Sequence, residues 1–405
     1  MSLSSAIYTS ISGLNATSFG MSVIGNNVAN TNTVGFKGSR TLFSDVLGAS
    51  MGEDASRQVG KGVRPNEVRT MFTQGAFQPT NNPLDFAIDG NGFFMVREVD
   101  RVIGAVGSIF YTRAGQFSFD RSWYLVNPDG LRLQAYQADS AGNITQTLGD
   151  IQIQPLNAEG LPVMNARPTS AVEIKLNLNA DPNESIFTSG TLLDPLDTTK
   201  GPVANTYNYS VTMSVYDSAG NAHPVGIYFK KTNLTPNVGA TWDAHIIWNA
   251  GKTIANYQEQ IISLTFDTSG NLTNPTVPVS ITLTWDPAWN AVTPQPITID
   301  FTGSTQYGSP YSTVFKKVDG YPEGGLVGFR LDKSGILYGK YSNGQDNAIA
   351  QLALAKFNAP TELTKRGDNL FAESLLSGEP VIAVAGTKGA RNVFSNSLEM
   401  SNIDL

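Results

Sequence analysis

The two histidines are the side chains of this 405-residue chain best suited to act as a general base at neutral pH. His223 follows Asp217 and Ser218, and the three together have the composition of a nucleophilic triad. They fall within one short predicted hairpin, which does not present a triad together with a pocket and oxyanion donors. His245 alternates with strand residues in AHIIWN. The histidines therefore predict no catalytic site.

Two glycine-containing stretches have the composition of phosphate-binding loops without their spacing. Gly251, Lys252 and Thr253 follow an apolar run, but Ile246 stands where such a loop requires its leading glycine. A second stretch lacks the spacing of a dinucleotide-binding loop, and its glycines are Gly320, Gly324, Gly325 and Gly328. The sequence predicts no cofactor and no enzymatic activity.

The composition excludes further classes of function. The chain has no cysteine, so disulfides, thiolate catalysis and cysteine-ligated zinc are ruled out. A net charge of −7 without a basic cluster argues against nucleic acid as a partner. Charged residues make up only 15%, and Gly, Ser, Thr and Asn are abundant, as is typical of a β-rich, turn-rich surface protein.

The N-terminal segment is uncharged as far as Lys37. It lacks the cationic start and continuous apolar core of a secretory signal, so we expect no cleavage of that kind. It also interleaves Ser, Thr, Asn and Gly too densely for a membrane span of about twenty apolar residues. We therefore predict no membrane insertion.

This segment has an apolar seam at the spacing of one helix packing on another. Steps of four and three residues along 3–28 predict a helix over residues 1–30. We call the apolar positions the assembly seam; they are Leu3, Ile7, Leu14, Met21, Ile24 and Val28.

The seam leaves two interpretations open. Burying six side chains stabilises less than ordering the segment costs, and three glycines disfavour helix further, so the segment alone should be disordered. It needs partners from its own chain or from other subunits. The plainer interpretation is an amphipathic helix that caps its own domain.

The rest of the chain predicts β structure. Alternating apolar runs are separated by a recurring turn phrase, DSAGN at 139–143 and 217–221, DTSGN from Asp267 and DKSG from Asp332. In each turn we expect Asp to accept bonds from the backbone ahead and Gly to take a positive φ. The alternating carboxylates of a calcium loop are absent from these phrases.

Composition changes predict nested β domains, a discontinuous inner domain with an all-β outer insert. The predicted segments are an N-terminal helix at 1–30, a linker at 31–75, a discontinuous β domain at 76–165 and 318–390, an outer insert at 170–316, and the start of a C-terminal segment at 391–405.

Several phrases resemble the bacterial flagellar axial proteins of the rod and hook. They are SGLNATSFGMSVIGNNVANTNTVGFKGSRTLF, TNNPLDFAIDGNGFFMV and YTRAGQFSFD, and SLEMSNIDL at 397–405 resembles the start of the C-terminal block of this family. SVYDSAGNAHPVGIYF and the stretch 319–371 resemble the hook branch. The resemblance assigns a family motif to Asn26, Asn27, Asn30, Gly35, Phe36 and Lys37.

The resemblance implies a structural subunit of the hook. Such subunits polymerise into a hollow, flexible helical tube, a universal joint that transmits torque from rod to filament, with the N-terminal helix in the innermost layer. The implied partners are other copies of the chain, the rod, the hook cap, the hook-filament junction proteins and the flagellar type III export apparatus. The implied location is the extracellular hook of the basal body, reached without a cleaved signal.

Two alternatives remain at this point. A distal rod-type axial protein resembles the flanks without the large insert, and a secreted β-sandwich adhesin would explain the composition without the N-terminal motif. In the family a long amphipathic helix follows the position of Leu405. The resemblance therefore leads us to expect that half of the assembly core is missing from this sequence.

Overall fold

The computed structural model describes residues 3–47, 60–99, 106–139, 142–181, 183–187, 190–193, 202–203, 205–235, 239–249, 257–385 and 392–404. The chain forms two compact units. The terminal unit comprises Met1–Pro162 and Leu326–Leu405, and the inserted unit comprises Val163–Gly325.

One α-helix and twenty-eight strands make up the regular structure of the described residues, together with single 3-10 turns at Pro287–Trp289 and Pro360–Glu362. The helix is α1 (Leu3–Ala29). The strands are β1 (Ser39–Leu47), β2 (Gly60–Thr70), β3 (Phe77–Pro79), β4 (Phe86–Ile88), β5 (Phe93–Val99), β6 (Val106–Thr112), β7 (Ser118–Phe119), β8 (Leu125–Val126), β9 (Arg132–Ala138), β10 (Ile144–Asp150), β11 (Val163–Met164), β12 (Ala171–Asn177), β13 (Tyr209–Tyr216), β14 (Ala222–Thr235), β15 (Gly239–Asn249), β16 (Tyr257–Phe266), β17 (Leu272–Asn274), β18 (Val279–Leu283), β19 (Gln295–Asp300), β20 (Ser312–Val318), β21 (Gly324–Leu331), β22 (Ile336–Tyr341), β23 (Asp346–Lys356), β24 (Thr364–Gly367), β25 (Leu370–Ala372), β26 (Val381–Val384), β27 (Val393–Ser395) and β28 (Ser397–Glu399).

The terminal unit is built on a large sheet with the order β21-β22-β23-β9-β5-β6-β25-β24. Its core contains Phe86, Phe94 and Leu133, all fully buried. Strands β1 and β2 form a separate antiparallel hairpin, in which Ser39 pairs with Thr70. Two short pairs, β27 with β4 and β28 with β3, join the end of the chain to residues near its beginning.

The inserted unit contains a four-stranded sheet, β18-β19-β12-β20, and a five-stranded antiparallel sheet, β13-β14-β15-β16-β17. One apolar core draws side chains from both sheets, including Trp242, Phe229 and Phe301. Inward-facing residues alternate along β13, where Val211, Met213 and Val215 are buried. This alternation allows strands such as β13 to be predicted from the sequence.

The prediction of a mainly β chain with one N-terminal helix is confirmed. The prediction that 31–75 is a linker is wrong, because this segment contains the β1–β2 hairpin. Most side chains of both strands are exposed or half-buried, so the hairpin shows little apolar alternation. No described helix meets the length and hydropathy needed to cross a bilayer.

The recurring turns have the predicted geometry. Asp217 Oδ1 accepts from the amides of Ala219 and Asn221 at 2.8 and 2.9 Å, and Gly220 has a φ of 85°. The turn that begins at Asp267 repeats this arrangement. These phrases therefore close hairpins, and among the described residues no group of acidic and histidine side chains is arranged to hold a metal ion.

Candidate assembly site

Helix α1 carries large apolar side chains that are exposed around the side turned away from the hairpin and on its flanks. Among the seam residues Leu14 is 72% exposed and Met21 is 62% exposed. Only the backbone of Leu3 is described. The exposed set extends beyond the seam and consists of Ile7, Tyr8, Ile11, Leu14, Phe19, Met21, Ile24 and Val28. A surface of this kind is typical of a contact with another protein chain.

The opposite face of α1 is made of small residues and packs on the β1–β2 hairpin. Ala16 is buried, and the Ser12 hydroxyl accepts from the amide of Val63 at 3.3 Å. A Cβ on Gly20 would lie 3.3 Å from the Phe43 ring, so a larger side chain there would push the helix outward. The helix therefore has a partner in its own chain on this face, as the plainer interpretation requires, whereas its seam is left outward.

The family-motif residues form the passage from α1 to the β structure. The Asn30 side chain donates to the Asn26 carbonyl at 2.9 Å, closing the last turn of the helix. Gly35 has a φ of 71°, and a Cβ there would lie 2.4 Å from the amide nitrogen of Ala114. Only glycine fits this approach of two backbones. Phe36 is half-buried, and its carbonyl accepts from the Asn402 amide at 3.4 Å.

A buried ionic cluster lies directly beyond this passage. Glu399 is fully buried, with one carboxylate oxygen 2.6 Å from Lys37 Nζ and the other 3.0 Å from Arg113 Nη1. All three side chains are at most 2% exposed. One carboxylate thus compensates two cations from distant parts of the sequence.

Hydrogen bonds between these side chains and the backbone complete the ionic cluster. Lys37 Nζ donates to the Thr73 carbonyl at 2.8 Å, Arg113 Nη2 donates to the Gly90 carbonyl at 2.6 Å, and the Gly75 amide donates to Glu399 at 3.0 Å. Burial lowers the pKa of Lys37, and the charge and hydrogen bond of Glu399 act against that shift. Such a cluster is stable only while every charge keeps its partners.

The C-terminal segment is fastened to the same place by further contacts. Asn402 accepts from the Gly38 amide at 2.8 Å and donates to the Met71 carbonyl at 2.7 Å. The Gly35 amide donates to the Glu399 carbonyl at 2.7 Å. Residues 392–404 therefore run beside the passage that leaves α1, and the last described residues of the chain lie next to the residues that follow this helix.

The triad-like residues have structural roles in the inserted unit. His223 Nε2 lies 2.8 Å from Asp217 Oδ2, and its ring stacks on both Trp285 and Trp289, with ring-centroid distances of 4.1 and 3.9 Å. The Ser218 hydroxyl accepts from the Val292 amide at 2.7 Å. Because the histidine is enclosed by two indoles and the hydroxyl is engaged elsewhere, the three residues form no nucleophilic site.

His245 is likewise buried, and its Nδ1 lies 2.7 Å from Glu259. Burial raises the pKa of Glu259, but its hydrogen bonds with His245, Leu192 and Thr191 together hold that pKa below its ordinary value. The cluster around Glu259 therefore ties residues 191–192 to the sheet of the inserted unit.

The stretch with the composition of a phosphate-binding loop, Gly251, Lys252 and Thr253, lies outside the described residues.

Three stretches of the chain match models of protein families. Residues 7–37 match the flagella basal body rod protein, residues 87–179 match the D1 domain of the flagellar hook protein FlgE/F/G, and residues 177–321 match the D2 domain of the flagellar basal body protein FlaE. The flagellar hook proteins FlgE of Borreliella burgdorferi and of Escherichia coli K12 are each 32% identical to this chain, over 99% of its length and 91% of theirs. The chain belongs to the flagellar hook protein family.

The fold agrees with this membership. The crystal structure of the Helicobacter pylori flagellar hook protein FlgE2 superposes with a TM-score of 0.56 at 16% identity, covering 80% of this chain and 99% of that one. This chain is a structural subunit of the flagellar hook.

The sequence did not identify most members of the ionic cluster of this hook-family chain. Lys37 was assigned through the family motif, whereas Glu399 and Arg113 carried no role. One feature could have indicated the cluster. Lys37 is the first charge of the chain, and Glu399 is the only charged residue between Arg391 and Asp404, so each stands beside a long uncharged stretch.

Proposed function

We propose that this hook subunit polymerises through the outward face of α1 into a hollow helical tube that acts as a flexible joint between rod and filament. The observation that carries the proposal is the set of eight large apolar side chains exposed on one helix. Each stabilises a contact by about 1.5–3 kcal/mol when it becomes fully buried. A tube whose inner layer consists of these helices would bury all of them.

The ionic cluster supports this proposal by fixing the point at which the chain leaves α1. Lys37 and Glu399 hold the residues after α1 against residues 392–404, so that both chain ends leave the β structure together. The amphipathic helix that follows this segment in the family would then start beside the C-terminal end of α1. Helices brought together in this way are the arrangement that a seam spaced by three and four residues favours.

The remaining partners follow from membership of the family. We propose contacts with the rod, the hook cap and the hook-filament junction proteins at the two ends of the tube, and passage through the flagellar type III export apparatus. The extracellular hook is the proposed location, reached with the N-terminal segment uncleaved. A role without catalysis fits the contacts of the two histidines, in which His223 bonds to Asp217 and His245 bonds to Glu259 within the fold.

The inserted unit is proposed to be the outer module that allows the tube to bend. When a tube bends, subunits on one side approach while those opposite separate, so contacts between outer modules must slide. Turns rich in Ser, Thr, Asn and Gly suit such contacts, because polar groups exchange protein partners for water at little net cost.

Deleting the outer module should leave a tube that assembles but does not hold a curved form. The Asp319 amide donates to the Ala171 carbonyl at 3.2 Å, so residues 171 and 319 are neighbours and a short glycine link can replace residues 172–317. Electron microscopy of polymers from the intact and shortened chains measures the curvature. Loss of all assembly would contradict this role for the module.

The polymer of the chain carrying the C-terminal amphipathic helix of the family after Leu405 separates the functional alternatives. A hollow tube that adopts curved forms is the expected result. A straight, rigid tube would favour a distal rod subunit, and no tube under conditions that support assembly would favour a secreted β-sandwich adhesin.

A further inference from the structure

The Asn27 side chain forms an unusual pair of contacts at the end of α1. Its Nδ2 donates to the Ser39 carbonyl at 2.7 Å, and its Oδ1 accepts from the Ser39 amide at 3.0 Å. The carboxamide therefore satisfies both backbone groups of the first residue of β1, as a neighbouring strand would. Both bonds form only when the Asn27 carboxamide and the Ser39 backbone lie in one plane, so this pair of bonds restricts rotation of the C-terminal end of α1.

Ser39 is itself fixed from a second direction. Lys365 of β24 donates to the Ser39 hydroxyl at 2.7 Å, and the Asn369 side chain donates to the Val34 carbonyl at 3.2 Å. Ser39 is buried, and it pairs with Thr70 across the hairpin. The contact point of Asn27 is thus tied through Lys365 to β24 of the large sheet and does not move independently with the helix.

Asn27 also lies on the face of α1 that is turned to the hairpin. At about 100° per residue it shares this side with Ser12, Ala16 and Gly20, opposite Leu14. These small residues let the helix approach the hairpin closely but, apart from the 3.3 Å hydrogen bond between Ser12 and Val63, they do little to fix its rotation. A small-residue face can slide, whereas a two-bond clamp cannot.

We propose that Asn27 is a positioning residue that fixes the rotation of α1 on the hairpin, so that the assembly seam faces outward toward other copies of the chain. This inference rests on the proposed polymerisation for its consequence, but not for its geometry. Without the clamp the helix rotates or detaches, and its apolar side chains are no longer offered in one direction.

Spin-label distances in the dilute, unpolymerised full chain test the clamp directly. The chain has no cysteine, so no native thiol competes for the spin labels. Two exposed positions are changed to attach them, with Asn15→Cys on α1 and Asn66→Cys on the hairpin. In the parent chain we expect one narrow distance. Asn27→Asp sets a carboxylate oxygen against the Ser39 carbonyl and should raise the displaced fraction about tenfold.

Two variants control for charge and for folding. Asn26→Asp adds the same charge at the neighbouring position, where the side chain is exposed, and should leave the distance unchanged. Asn27→Ala removes both bonds without a charge and should broaden the distance as Asn27→Asp does. Equal distance distributions for Asn27→Asp, Asn27→Ala and Asn26→Asp would overturn the clamp, whether or not the chain polymerises.

The consequence for assembly is measured separately by counting hooks per cell in electron micrographs. We expect about tenfold fewer hooks with Asn27→Asp and an unchanged number with Asn32→Asp, which adds the same charge at an exposed position outside α1. A displaced helix together with a normal number of hooks would overturn the positioning role, while leaving the proposed polymerisation intact.

Discussion

Replacing Leu14 with aspartate is expected to abolish polymerisation while leaving the monomer folded. Leu14 is 72% exposed, so the charge meets water in the monomer and the free energy of unfolding changes little. In the polymer the carboxylate would be buried among apolar side chains, which costs several kcal/mol. Sedimentation should show the concentration required for assembly raised by at least about a hundredfold.

A matched apolar substitution controls for disturbance of the helix. Leu14→Met keeps the volume and the apolar character of the side chain and should assemble like the parent chain. Far-ultraviolet circular dichroism of both variants as monomers should be the same. If Leu14→Asp polymerised as readily as Leu14→Met, the seam would not be an interface.

The second large effect is expected from Glu399→Gln. The substitution leaves Lys37 and Arg113 buried without a counter-charge, because no other carboxylate contacts these two cations in the described residues. Breaking a buried ion pair in this way destabilises by about 3–5 kcal/mol. For a unit of this size the melting temperature of the terminal unit should fall by roughly 10 °C.

An exposed glutamate gives the control for this effect. Glu379→Gln changes the same charge on the surface of the same unit and should move the melting temperature by less than about 2 °C. Limited proteolysis adds a second readout, since freeing residues 392–404 should expose them to cleavage first in Glu399→Gln. Equal melting temperatures for the two variants would show that the cluster does not stabilise this unit.

The outward seam could be predicted because its signal is local. Leu14, Met21 and Ile24 recur at helical spacing within one short window, and no other part of the chain is needed to interpret them. The turns at Asp217 and Asp267 were readable for the same reason. Their geometry is set by five consecutive residues.

The ionic cluster could not be predicted because its members lie far apart. Lys37 and Glu399 are separated by 362 positions, and no periodicity connects them.

The β1–β2 hairpin could not be predicted for a different reason. Its side chains are largely exposed, so the alternation that reveals strands such as β13 is weak there, and its stability depends on α1, which packs on it.

The central claim, that the outward face of α1 becomes an interface between subunits, is tested most directly by the reactivity of a single cysteine at Leu14. Amide exchange alone is less decisive, because packing on the hairpin protects the helix in the monomer as well. With Leu14→Cys we expect rapid reaction with a maleimide in the monomer. In polymers verified by electron microscopy the rate should fall by at least about a hundredfold. Equal rates in monomer and polymer would contradict the account.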